Sequence, residues 1–234
     1  MKTVLFDLDG TLLPMDQDVF VKAYFGGLAT KMVAYGYDPQ TLIKGIWTGT
    51  EAMIRNDGSR TNEESFWAGA ASVLGADCRK DEPLFDHFYH NEFRFVAASC
   101  GNNPKASELI AALKAKGCRI ALATNPIFPA IATRTRMQWA GLQEAHFDLV
   151  TTYENATFCK PNPAYYQQVL EKLGETPENC IMVGNDVTED MVAASLGMEV
   201  FLLTDCLINK ANKDISQYPH GNFDDLMAFL EQHI

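Results

Sequence analysis

Basic residues are scarce in this chain of 234 residues, which has 19 Lys and Arg against 30 Asp and Glu. The formal net charge is −11 at pH 7. Proteins that bind nucleic acid or an anionic membrane need an excess of basic side chains, because both surfaces are negatively charged. We therefore expect neither nucleic acid nor a membrane to be a partner. An acidic chain does suit the binding of a divalent cation.

Long hydrophobic runs and paired cysteines are also missing. No stretch reaches the roughly 18 apolar residues that a membrane helix needs, and the N-terminus lacks the basic and then apolar pattern of a secretion signal. The six cysteines are scattered, without a CxxC pair or a grouping with His at metal-ligand spacing. We expect reduced thiols and a cytoplasmic location.

The sequence instead alternates short apolar runs with helical patterns. The runs cover residues 3–6, 119–123, 147–151, 180–183 and 199–203, and helical patterns at 106–116, 130–140, 163–173 and 189–196 each end at a glycine. Continuous apolarity without in–out alternation is typical of strands buried on both faces. The predicted fold class is therefore α/β, with a Rossmann-like parallel sheet and right-handed crossovers.

One long section contains no strand pattern. Residues 20–35, 39–55, 63–74 and 83–95 follow helical patterns, with breakers between them such as Gly36 and Gly75. We predict two domains: a Rossmann-like core of residues 1–16 and 97–234, and an all-helical domain of residues 17–96 over the carboxyl edge of the sheet. In that domain Lys44, Arg55 and Arg60 are expected on a solvated helix face, and Trp47 and Trp67 in its packing.

Polar side chains follow the predicted strands at the point where each strand ends. The carboxyl ends of parallel strands meet at one edge of a sheet, where ligands usually bind. Together these side chains supply two neighbouring carboxylates, a hydroxyl, an amide, a cation and an acidic cluster, which are the groups that phosphoryl transfer needs. In chain order they are Asp7, Asp9, Thr124, Asn125, Lys160, Asp186, Glu189 and Asp190.

Each group can be given a physical role. Asp7 can attack phosphorus to form an aspartyl-phosphate, provided that Mg²⁺, held by Asp7 and Asp186, suppresses the repulsion between the two anions. Asp9 can protonate the leaving alkoxide and later remove a proton from water. Thr124 and the backbone N–H groups around Asn125 can hold the phosphoryl oxygens, and Lys160 can offset the negative charge of the nucleophile Asp7 and of the transferring group.

Four motifs in this order resemble those of the haloacid dehalogenase (HAD) superfamily. They are Asp7-Leu8-Asp9-Gly10-Thr11, the strand ending in Thr124-Asn125, Lys160-Pro161, and Gly184-Asn185-Asp186 with Asp190. The resemblance spans nearly all of the predicted core. It implies a Mg²⁺-dependent aspartyl-phosphate mechanism. Because the helical insertion follows the first motif, it also implies a C1-type cap that closes over the substrate and excludes bulk water.

The fourth motif departs from the commonest form of that superfamily. A Gly-Asp pair is usual there, whereas Asn185 follows Gly184 here and the carboxylate comes at Asp186. We predict Asp186 as a direct metal ligand, and Asp190 as a ligand through water or an acid behind the ligands. The predicted metal-site residues are Asp7, Asp9, Asp186 and Asp190, with Glu189 as the substitute acid.

The second carboxylate of the first motif separates branches of the superfamily. Dehalogenases lack a counterpart of Asp9, because no alkoxide needs protonation in their reaction. The resemblance therefore favours a phosphatase that acts on a small phosphorylated metabolite, or a phosphomutase. A P-type ATPase would need membrane spans. Pyrophosphatase and nucleotidase activities stay open, as does a catalytically quiet phosphate- or protein-binding module on the same fold.

Overall fold

The first predicted strand lies at the centre of the sheet. In the computed structural model, which describes residues 2–234, β1 (Thr3–Phe6) pairs in parallel with β2 (Arg119–Leu122) on one side and β4 (Cys180–Gly184) on the other. The other strands are β3 (Leu149–Val150), β5 (Glu199–Leu203) and β6 (His220–Gly221), and the order is β3-β2-β1-β4-β5-β6. The winding direction changes at β1, so a crevice opens at its carboxyl end.

Both faces of the sheet are covered, as the apolar strands predicted. Side chains alternate along β1, so Val4 and Phe6 face one apolar cluster and Leu5 the other. The first cluster includes side chains of α5 (Pro104–Ala115), α6 (Ala130–Trp139) and α8 (Phe223–His233). The second includes α7 (Pro163–Leu173). The predicted α/β class with a parallel sheet is confirmed.

Four α-helices follow the first motif: α1 (Gln17–Val33), α2 (Pro39–Ile54), α3 (Asn62–Leu74) and α4 (Glu82–Asn91), then a 3₁₀ helix at Phe93–Ser99. Local signals fix where they begin. Asp16 and Asp38 cap α1 and α2, and Thr61 forms a capping box with Glu64 at the start of α3. The helices share an aromatic-rich core of their own that also contacts α6.

The chain leaves and re-enters the sheet region at one place. Met15 and Cys100 form an antiparallel bridge, and the Gly101 N–H donates to the Pro14 carbonyl at 2.7 Å. The two connections therefore run side by side. This arrangement places the helices directly over the carboxyl end of β1.

One predicted helix is wrong, and two elements went unpredicted. Residues 189–196 do not form an α-helix: a 3₁₀ helix covers Met191–Leu196, and Asp190 before it bonds both the Asp186 N–H and Lys160, contacts that hold the preceding residues in a turn. The short β6 and the helix α8 were not predicted. Within residues 2–234, no helix combines the length and apolarity needed to cross a membrane.

Candidate active site

Asp7 stands at the end of the central strand, beside a buried cation. Its carboxylate Oδ1 accepts a hydrogen bond from Lys160 Nζ at 2.8 Å. The other oxygen, Oδ2, lies 3.3 Å from the Thr11 hydroxyl, which is a weak contact. One oxygen of Asp7 is therefore held, and the other is free to react.

Lys160 is a fully buried cation between two acids. Its Nζ also donates to Asp190 Oδ1 at 2.7 Å, and only 1% of its side chain is exposed. Burial alone lowers the pKa of a lysine, but the charges of Asp190 and Asp7 outweigh it and raise the pKa of Lys160 well above its usual value. The lysine thus stays protonated and fixes both carboxylates.

The fourth motif forms a tight turn around Asp190. The second oxygen of Asp190 accepts the Asp186 backbone N–H at 2.9 Å, so both of its oxygens are engaged. Gly184 makes this approach possible, because a Cβ there would lie 2.1 Å from Asp190 Oδ2. Asp186 Oδ1 accepts N–H groups of Thr188 and Glu189 at 2.7 and 2.9 Å. Asp186 lines the cavity and keeps its other oxygen available.

Asn185, the departure from the usual motif, binds neighbouring loops together. Its Oδ1 accepts from the Thr11 hydroxyl at 3.0 Å, and its Nδ2 donates to the Cys206 carbonyl at 2.7 Å. Gly10 has a φ of +87°, and a Cβ there would lie 2.3 Å from Asn185 Nδ2. The asparagine therefore packs against the glycine of the first motif and joins the first and fourth motifs.

Thr124 and Asn125 reach the same cavity from the end of β2. Asn125 is held on two sides: its Oδ1 accepts the Lys160 backbone N–H at 3.2 Å, and its Nδ2 donates to Glu189 Oε2 at 3.0 Å. Burial raises the pKa of Glu189 to about 7. Asn125 thereby connects the second, third and fourth motifs.

Asp9 forms an ion pair that the sequence patterns did not reveal. Its Oδ2 accepts from Arg136 Nη1, while its Oδ1 is buried without a partner among the described residues. Burial raises the pKa of Asp9 to about 6, although the charge of Arg136 acts in the opposite direction. An acid with this pKa can exchange a proton near neutral pH.

Arg136 lies on the inner face of α6, with 1% of its side chain exposed. Its guanidinium carbon is 4.3 Å from the centre of the Phe128 ring and 6.0 Å from that of Phe20. A signal for it was present in the sequence: Arg136 falls at helical spacing from Ala132 and Ala140, on an otherwise small and apolar face.

Asn62 is a second residue that the sequence patterns missed. This fully buried side chain from α3 donates to the carbonyls of Pro126 and Phe158 at 3.2 and 3.3 Å. Those carbonyls belong to the loops that carry Asn125 and Lys160. The only sequence signal was an Asn beside the α3 cap, which is more typical of an exposed position.

These groups surround one cavity of about 230 Å³ between the sheet edge and the helices. All the predicted site residues except Lys160 line it, on the sheet side. The helices supply an apolar wall that includes Trp47 and Trp67. The two tryptophans were predicted to serve packing, and they also face this cavity.

The donor set is compatible with a hard cation. Within residues 2–234 no three His, Cys, Asp or Glu side chains converge as a preformed metal cluster. Mg²⁺, however, needs only one or two protein carboxylates, since water and substrate oxygens complete its coordination. Asp7 and Asp186 both line the cavity with a carboxylate, and Asp186 keeps one oxygen free of hydrogen bonds. Asp190 is committed to Lys160 and the backbone, as expected of an acid behind the ligands.

Comparison with known proteins places this site in a family. The family model of haloacid dehalogenase-like hydrolases matches residues 1–197. The chain belongs to this family. It is 30% identical to a glyceraldehyde 3-phosphate phosphatase of Methanothermobacter thermautotrophicus, over 92% of this chain and 90% of the relative. It is 24% identical to a phosphoglycolate phosphatase of Aquifex aeolicus, over 100% and 99%.

Solved structures confirm the fold. The chain resembles a HAD phosphatase from Thermococcus onnurineus with a TM-score of 0.60 and 20% sequence identity, covering 98% of each chain. The HAD-like fold predicted from the four motifs is therefore confirmed. At this identity the likeness supports the fold alone.

Proposed function

We propose that this HAD-family protein is a Mg²⁺-dependent phosphomonoester hydrolase that works through an aspartyl-phosphate on Asp7. One observation carries the proposal: Asp7 stands at a cavity with one oxygen held by the buried Lys160 and the other free. A carboxylate in this position can act as a nucleophile. The names of the relatives, which include phosphatases for small phosphorylated compounds, support the same reaction class.

In the first step, the free oxygen of Asp7 attacks phosphorus, and the bond between phosphorus and the ester oxygen breaks. Asp9 gives its proton to the departing alkoxide. The Thr124 hydroxyl and the backbone around Asn125 hold phosphoryl oxygens, and Lys160 offsets the negative charge that collects there. In the second step, a water oxygen attacks phosphorus while Asp9 takes a proton from that water. The bond between phosphorus and the Asp7 oxygen breaks, which regenerates the Asp7 carboxylate and releases inorganic phosphate.

Asp7 and Asp186 would hold the Mg²⁺ ion, with Asp190 behind them. The bound ion would reduce the repulsion between the carboxylate and the phosphate. Asp9 and Glu189, the other predicted metal-site acids, are given different roles here. Asp9 is paired with Arg136 and is assigned to proton transfer, and Glu189 is hydrogen-bonded to Asn125.

We further propose that residues 17–96 act as a C1-type cap domain on a core of residues 1–16 and 97–234. The helices α1 to α4 supply the apolar wall of the cavity, while the sheet supplies its polar floor. A cap in this position limits the access of water to the reacting groups, and exclusion of water strengthens the electrostatic interactions there.

The decisive experiment is the release of inorganic phosphate from phosphomonoesters by wild type and Asp7→Asn, each with Mg²⁺ and with a chelator. We expect activity only for wild type with Mg²⁺, because the amide cannot attack phosphorus. Asp18→Asn, an exposed acid in the first turn of α1, is the control and should behave as wild type. Full Mg²⁺-dependent activity in Asp7→Asn would overturn the proposal.

Two alternatives give different results in the same assay. A phosphomutase would return the phosphoryl group to its substrate and release little phosphate. A binding module would turn over no ester in any variant. Asp9→Asn adds a further check, since aspartyl-phosphate should accumulate while phosphate is released slowly.

A further inference from the structure

The wall of the cavity opposite the carboxylates is built from aromatic side chains. Phe20, Tyr24, Trp47 and Phe66 line it from the helices, and Phe128 and Tyr153 from the loops after β2 and β3. Aromatic rings bury large apolar surfaces and pack edge to face or stacked against other rings. The part of a substrate that extends away from its phosphate therefore meets a surface that is mainly apolar.

Among the described residues, no Lys, Arg or His lines this cavity. The two nearest site cations are already paired: Lys160 with Asp7 and Asp190, and Arg136 with Asp9. Lys44 of α2 is not among the lining residues, and the basic residues that follow α2 do not change this. Arg55 forms an ion pair with Glu51 and lines a separate surface groove with Arg60.

Acids of the helical domain also disfavour a negatively charged group in this cavity. Glu82 and Asp86 of α4 line the cavity, which also contains the acids of the sheet edge. A second negative group on a substrate would lose its hydration there and find no cation to pair with. Sites that recognise carboxylates or phosphates normally supply arginine or lysine for that purpose.

We propose that the preferred substrate is a phosphomonoester whose alcohol portion is apolar and carries no negative charge, of the kind represented by an aromatic ring on a short alkyl chain. This inference rests on the proposed phosphatase function and specifies its substrate class. It separates this chain from its relative named for phosphoglycolate, whose substrate carries a carboxylate beside the phosphate.

The first test compares kcat/KM for benzyl phosphate, ethyl phosphate and 2-phosphoglycolate with Mg²⁺ present. All three release primary alkoxides, so the comparison reports mainly on recognition of the alcohol portion. We expect benzyl phosphate to exceed ethyl phosphate by roughly 10- to 100-fold, the value of burying one aromatic ring, and phosphoglycolate to be the poorest. Equal or faster hydrolysis of phosphoglycolate than of benzyl phosphate would overturn the inference.

A binding measurement separates failure of this inference from failure of the proposed function. The phosphonates 2-phenylethylphosphonate and 3-phosphonopropionate replace the ester oxygen of benzyl phosphate and phosphoglycolate with CH₂ and cannot be hydrolysed. Tighter calorimetric binding of the phenyl compound in the presence of Mg²⁺ supports the inference even if no ester turns over. Equal affinity, or a preference for the carboxylate compound, contradicts it even in an active enzyme.

A matched pair of variants locates the preference. Trp47 lines the cavity and is 47% exposed, whereas Phe95 is 67% exposed and lies away from it. Both can be truncated without opening a buried core. Trp47→Ala should lower kcat/KM for benzyl phosphate at least about fivefold while changing ethyl phosphate little, and Phe95→Ala should change neither. If the ratio of kcat/KM for benzyl phosphate to that for ethyl phosphate were the same in both variants, the selectivity would not come from this wall.

Discussion

At the scale of single residues, the fold places similar side chains in different environments. Arg134 and Arg136 are two residues apart on α6, so they point in different directions. Arg134 is half exposed and pairs with Glu144 at the surface, whereas Arg136 is buried against Asp9. The first is an ordinary surface ion pair of small value. In the second pair, Arg136 lowers the pKa of Asp9, the proposed general acid.

Replacing Arg136 should therefore change the pH dependence of the reaction. Asp9 must be protonated to act as the acid, so kcat/KM falls as the pH rises through its pKa. Arg136 lowers that pKa; in Arg136→Met the pKa rises, and the descending limb should move to higher pH by about one pH unit. Measurement of kcat/KM from pH 5 to about 9 checks this.

The controls for that experiment are available on the same helix. Arg134→Met should keep the wild-type profile, and Arg136→Lys, which retains the charge, should keep the limb near its original position. Arg136→Met must first show cooperative thermal melting, as a folded protein does. If its descending limb then stays at the wild-type pH, Arg136 does not shift the pKa of Asp9.

At the scale of elements, close packing of α2 on α3 shapes one wall of the helical domain. Glycines allow this approach: a Cβ on Gly69 of α3 would lie 2.7 Å from the Ala52 Cβ and 2.9 Å from the Thr48 carbonyl of α2. Helix backbones can approach this closely only where side chains are small. Trp47 and Thr50 on α2 and Phe66 on α3 line the cavity, so this contact positions them.

Gly69→Ala should destabilise the protein by about 1–3 kcal/mol, because the added methyl group meets backbone that cannot move alone. Gly26→Ala on α1 is the control, since a Cβ there meets nothing within 4 Å. The free energy of unfolding of Gly26→Ala should instead rise by about 0.5–1 kcal/mol, because Ala has a higher helix propensity than Gly. Urea unfolding measures both changes. A neutral or stabilising Gly69→Ala would contradict the packing argument.

At the scale of the whole molecule, charge is concentrated at the place where the sheet and the helices meet. The chain has a net charge of −11, and the cavity contains acids from the sheet edge and from α4. A divalent cation held by Asp7 and Asp186, as proposed, would relieve part of this repulsion in the folded state only. Binding to the folded state raises its stability by mass action.

Mg²⁺ should therefore raise the melting temperature at constant ionic strength. At a concentration about 100 times Kd, a chain of this size should gain roughly 5–10 °C. Asp186→Asn should lose most of this gain, whereas Asp214→Asn, an exposed acid that does not line the cavity, should keep it. Thermal melts with MgCl₂ against NaCl measure the effect. An undiminished response in Asp186→Asn would remove Asp186 from the metal site.

Strands β1 to β5 were predictable because most of their residues are buried, which leaves an apolar run in the sequence, whereas the partly exposed β6 leaves none. The segment after Asp186 was not. Its predicted helix gave way to a turn and a 3₁₀ helix, because the Asp190 carboxylate bonds the distant Lys160 as well as the Asp186 N–H and so holds the segment in a turn. Periodicity records which side chains are apolar, but not where a carboxylate bonds.

The sequence by itself determined the α/β class, the order of the motifs and the chemical types of the groups at the strand ends, since these follow from local patterns and from the geometry of parallel sheets. Lys160 was expected beside Asp7, but only the tertiary structure decided the other pairs. Lys160 also pairs with Asp190, 30 residues away along the chain, and Arg136 pairs with Asp9, 127 residues away. Ion pairs over such separations leave no periodic signal, because they depend on how whole elements pack.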